Sequence, residues 1–177
     1  IQVAVVSNQA PNAGGNLTVN AIAEDATSAA LTLTPALTDA DSAAPTRVRI
    51  LSVEGGTLTQ SDGSSITLGD AGTALTLTSG ALNLRFTPEA NRTSAGSLRY
   101  VLVDSVQSDL NSAASVVTVP ITSGNDAPVA IIPTTALTFT ENGPAMQVAP
   151  AVSLSDIDST LLSGAVVRIT NAQAGDA

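Results

Sequence analysis

Four residues near the start of this chain return 117 positions later, and that repeat constrains the fold more than any other feature. Asn8-Gln9-Ala10-Pro11 recurs as Asn125-Asp126-Ala127-Pro128, and Glu24 recurs as Glu141. Asp39-Ala40-Asp41-Ser42 recurs as Asp156-Ile157-Asp158-Ser159, with Leu37 matched by Leu154. Two inserted residues further on, Val48-Arg49-Ile50 matches Val167-Arg168-Ile169. Several matches in order at one spacing mark a repeated unit. A period of 117 residues is far too long for a solenoid coil and is the size of a free-standing domain. The expected division is residues 1–8 as the tail strand of a preceding module, 9–125 as one complete repeat, and 126–177 as a partial second repeat. The chain starts with Ile1, so it is expected to be a piece of something larger.

Within the complete repeat the pattern is strand after strand. Leu82, Leu84 and Phe86 alternate with Asn83, Arg85 and Thr87, and Leu98, Tyr100 and Leu102 alternate with Arg99, Val101 and Val103. That period of two places one set on a buried face. Val48–Ile50 and Val117–Ile121 repeat it, and shorter strands are expected at Thr18–Ile22, Leu31–Thr34, Ile66–Leu68 and Ala74–Thr78. Turn chemistry separates them at Gly55-Gly56, Ser61-Asp62-Gly63, Gly69–Gly72, Ser79-Gly80 and Pro88–Asn91. The segments Ala26–Ala30 and Ser105–Ala114 are expected as loops or single turns. About eight short strands in ~115 residues predict an all-β chain of antiparallel β-sandwich modules. Phe86 and Tyr100 are expected in the core.

Composition removes most chemistries. The 177 residues include no Cys, His, Trp or Lys, and 15 acids against six arginines leave a net charge of −9. Without His or Cys there is no zinc or haem site of the usual ligand types and no Ser-His triad. Without Lys there is no Walker-type phosphate loop and no Schiff-base lysine. Six scattered arginines cannot make a nucleic-acid surface. No apolar run approaches the ~20 residues of a membrane helix, so no membrane insertion is expected in this segment. Oxygen-ligand chemistry survives.

The repeated residues are mostly carboxylates, and the interval from Glu24 to Asp39-x-Asp41 equals that from Glu141 to Asp156-x-Asp158. Asp104 ends a strand, and Asn125-Asp126 lies between the modules. A sandwich can bring strand-end and linker residues to one pole, where crowded carboxylates require a cation. Ca²⁺, taking six to eight oxygens at ~2.3–2.6 Å, suits flexible loops better than Mg²⁺. The plainer reading is that Asp-x-Asp-Ser is turn and capping chemistry, with Pro128 holding the connector extended.

The Asn-Asp-Ala-Pro-Val linker at 125–129, Thr-Glu-Asn-Gly at 140–143 and Leu-Ser-Asp-Ile-Asp-Ser at 154–159 resemble the cadherin-like repeats of large bacterial surface proteins. Leu-Arg-Phe-Thr-Pro at 84–88, with Tyr100 to Asp104, resembles the later half of the same repeat and the related chondroitin-sulfate-proteoglycan-type modules. The resemblance implies tandem Greek-key, Ig-like sandwiches with Ca²⁺ at the junctions. The junction after the complete repeat would draw on Glu24 and Asp104 from the first module, Asn125 and Asp126 from the linker, and Asp156 and Asp158 from the second. Asp39 and Asp41 would serve the preceding junction, where Gln9 stands in place of the acid Asp126 and weakens the ligand set. Glu141 would belong to a further junction.

The expected function is therefore a structural or adhesive spacer in a large extracellular bacterial protein, with its joints stiffened by calcium. Its partners would be neighbouring repeats of the same chain, self-association, or a surface glycan or protein ligand. One alternative is a subunit of an extracellular filament assembled by β-strand complementation, and another is a carbohydrate-binding β-sandwich. An enzyme is not expected, because the acids map to linkers and turns rather than a cleft.

Overall fold

The computed structural model describes residues 7–133, 138, 140, 143–147 and 151–168. Glu141, Phe139 and residues 1–6 of the tail strand expected over 1–8 lie outside the described residues. The chain forms two compact units, Ile1–Gly124 and Asn125–Ala177. Among the described residues there is no helix, and every element is a strand or a bridge. No helix is therefore long and apolar enough to cross a membrane.

In the first unit, two sheets enclose one core. The larger has the order β1-β9-β8-β4-β6, built from β1 (Leu17–Thr18), β4 (Arg47–Glu54), β6 (Leu75–Thr76), β8 (Gly96–Val103) and β9 (Ser115–Val119). The smaller has the order β3-β7-β5, from β3 (Ala29–Leu33), β5 (Gly56–Gln60) and β7 (Leu82–Pro88). Inward residues of both sheets join in a single cluster: Leu31, Leu33, Leu58, Leu84 and Phe86 from one, Val48, Ile50, Leu98, Tyr100 and Val117 from the other. This is an all-β, sandwich-like fold, and the period-two alternation of the sequence maps onto it. Phe86 and Tyr100 are fully buried, as expected.

The opening strand lies parallel to the closing one. β1 pairs with β9 through Leu17 and Val117, and β2 (Ile22–Ala23) pairs with β10 (Ile121–Thr122). The interruption falls at Pro120, which offers no N–H to a ladder, while its carbonyl accepts from Ile22 N at 2.9 Å. The strand expected at Thr18–Ile22 is thus two short pieces.

Three expectations fail locally, the first at Ala29 and Ala30, which were expected in a loop and instead open β3. Ile66–Leu68 forms no strand; only Ser65 makes a bridge there, to Thr59. Conversely, β5 begins at Gly56, inside a pair expected to be a turn. Gly55 supplies the turn with φ 76°, whereas Gly56 is small because a Cβ there would lie 2.5 Å from the Phe86 ring. That glycine is a packing requirement and carries no turn signal of its own.

In the second unit, β11 (Val129–Ile131) pairs antiparallel with β12 (Ser153–Ser155), Val129 opposite Ser155. The first unit has the equivalent bridge, Asn12 opposite Thr38, at an offset of 117 residues on both sides.

Candidate metal centre

Asp104 is the centre of a polar cluster at one end of the first unit. It follows the last residue of β8, and its backbone N–H donates to Leu110 O at 3.0 Å, closing the loop that leads to Ser112. That loop turns two N–H groups onto the carboxylate: Val106 N at 2.7 Å and Gln107 N at 2.6 Å, both to Oδ1. The side chain is fully buried, yet its other oxygen, Oδ2, receives no hydrogen bond. The Gln107 N–H is the largest cause holding the Asp104 carboxyl below the usual carboxylate range; burial opposes it, and Val106 N–H and the facing Asn8 and Asp39 side chains reinforce it. Asn8 Nδ2 is also buried, beside Asp104.

The Asp-x-Asp loop supplies the facing wall. Asp39 Oδ2 accepts from Ser42 Oγ at 2.8 Å and Oδ1 from Asp41 N at 3.3 Å. Asp41 Oδ2 accepts from Gln9 N at 2.9 Å. Ser42 Oγ meets Ser105 Oγ at 3.2 Å, and Ser105 Oγ donates to Ala43 O at 3.0 Å. The two loops are thus laced together by hydroxyls. The plainer turn-and-capping reading accounts for Asp39 and one oxygen of Asp41. It leaves the buried Asp104 carboxylate beside the Asn8 and Asp39 side chains, where an oxygen-ligated cation could also be held.

The second unit repeats the loop. Asp126 N donates to Asp158 Oδ2 at 2.5 Å, and Asp158 N and Ser159 N donate to Asp156 Oδ1 at 3.0 and 2.9 Å. Asn125 Nδ2 donates to Asp126 O at 2.9 Å. The link from Asp126 N matches that from Gln9 N, 117 residues earlier. Position 9 therefore pins the loop with its backbone, and replacement of Asp by Gln leaves that link intact. The Gln9 amide itself donates to Ser7 O at 3.0 Å.

Glu24 occupies the other end of the first unit. Its N–H donates to Thr122 O at 3.0 Å, its Oε1 accepts from Gly124 N, and its Oε2 receives no hydrogen bond. Glu24 thus lies beyond Val119, where β9 ends, while Asp104 lies beyond Ser115, where β9 starts. The seven steps from Ser115 to Thr122 put these ends about 23 Å apart at ~3.3 Å per residue. The grouping of Asp104 with Glu24 is therefore corrected: Asp104 sits with Asn8 and Asp39. The reason is the strand direction, since β8 and β10 leave the sheet at opposite ends. Asn8 was missed as a site residue, although the 117-residue offset pairs it with Asn125.

Such a set of oxygen donors could hold a hard cation. The fold and this cluster define a class: a sandwich-like β-unit with a carboxylate-lined end, followed by a second unit that repeats its Asp-x-Asp loop. No family model, curated protein or solved structure matches the chain.

Proposed function

We propose that this chain is a structural or adhesive spacer segment of a large extracellular bacterial surface protein, and that Ca²⁺ binds at the ends of its modules. The observation that supports this best is the buried Asp104 carboxylate, lying beside the side chains of Asn8 and Asp39. A divalent ion there would neutralise the charge that burial otherwise opposes. Asn8, Asp39, Asp41 and Asp104 would be its protein ligands, with backbone carbonyls and water completing six to eight oxygens. In the second unit, Asn125, Asp126, Asp156 and Asp158 would offer the corresponding oxygens.

A shared ion stiffens a joint because the same charges repel when it is removed. Small-angle scattering of the chain, with calcium and then with chelator, tests this. Calcium is expected to lengthen the maximum dimension and narrow its distribution. Identical curves in both buffers, with calorimetry showing that calcium is bound, would remove the stiffening role.

A further inference from the structure

We infer that the open edge of β3 is an interaction surface that takes the β3 edge of a second copy of this chain, joining two three-stranded sheets antiparallel. The inference is independent of any metal ion. β3 is an edge strand, paired with β7 on one side over all five residues. The other edges of the first unit are short or closed. β1, β2, β6 and β10 are two residues long, and β5 is covered by the Thr59–Ser65 bridge and by Gln60 N bonded to Ser64 O. The part of β4 beyond β6 is interrupted by a bulge at Leu51 and ends at the exposed charge of Glu54. Bulges, charges and covering segments are the devices that keep sheet edges from pairing. Along Ala29–Leu33, β3 carries neither a bulge nor a charge.

Its sequence favours its own copy as the occupant. Residues 26–38 carry no charge, in a chain of net charge −9 whose nearest acids are Asp25 and Asp39. The outward side chains are Ala30 and Thr32, small and exposed, while Leu31 and Leu33 are buried. Around a two-fold axis, identical strands must run antiparallel, setting Ala and Thr against Ala and Thr without like charges or bulk. Beside β3 lies a groove of about 270 Å³ between β1 and β3, lined by Leu17, Ile22, Leu31, Thr18 and Thr32. The partner sheet would cover the apolar floor of that groove. The opposing term is the overall negative charge, so salt should strengthen the contact.

Sedimentation equilibrium on the whole chain tests this in chelator, from about 10 μM to about 1 mM, the range of a weak contact. At about 1 M NaCl, where the screening length is ~3 Å, the expected mass rises with concentration toward twice the 17.5 kDa of the chain. Thr32→Lys places a charge on the edge, opposite its own copy, and should return the mass to 17.5 kDa with an unchanged melting curve. Ala30→Lys serves the same purpose if Thr32→Lys does not fold, and Thr57→Lys on β5 should leave the dimer intact. A single-chain mass at every concentration overturns the inference, and so does a dimer that Thr32→Lys and Ala30→Lys leave undiminished.

Discussion

Removing calcium should lower the melting temperature of the first unit, and the size of the drop can be worked out. An ion that binds only the folded state, present at 100 times its dissociation constant, contributes about 2.7 kcal/mol. The first unit spans Ile1–Gly124, and at ~2.1 cal/mol/K per residue its unfolding entropy is about 260 cal/mol/K. The ratio gives a shift of about 10 °C. The assay follows tyrosine fluorescence on heating, because the chain has one tyrosine and no tryptophan. Tyr100 is fully buried in the core of that unit, so the signal reports its unfolding alone. Asp104→Asn keeps the shape and an acceptor for Val106 and Gln107 but removes one ligand charge. A tenfold loss of affinity from that change would cut the calcium gain to about 5 °C at the same concentration. Magnesium, which demands a tighter octahedron, should shift the wild type less. Equal melting temperatures in calcium and in chelator would refute the assignment of an ion to this end of the module. So would an Asp104→Asn variant that keeps the whole gain.

Two further outcomes concern the core. Gly56→Ala would place a Cβ 2.5 Å from both Phe86 Cζ and the carbonyl of Thr87. Because one obstacle is backbone, urea unfolding should show a loss of about 1–3 kcal/mol, and a variant as stable as wild type would contradict that packing. Burial raises the Tyr100 hydroxyl above its ordinary value of 10.0, against a smaller lowering by Ser115. The stability tied to that group is complete below pH 10 and is lost as pH rises from 10 through the raised value, since the unfolded chain ionises first. Absorbance titration should therefore show tyrosinate appearing together with unfolding, and a simple titration at pH 10 in the folded protein would count against it.

The local features were legible in the residues. Alternation through Leu82–Phe86 and Leu98–Leu102 required strands with one buried face, because a pleated strand turns successive side chains to opposite sides. The 117-residue offset announced a second copy and picked out the Asp-x-Asp loop, whose backbone pins recur in both units. What the pattern could not carry was which ends of which strands meet. Asp104 and Glu24 are both acids beside strand ends, and only the direction of β8 and the parallel closing of β2 on β10 set them at opposite ends. Gly56 shows the same limit from the packing side, for its need to be small comes from the ring of Phe86, thirty residues away in the chain. Spacing along a sequence records local geometry and repetition, whereas partners across a sheet depend on register and direction, which the whole core decides together.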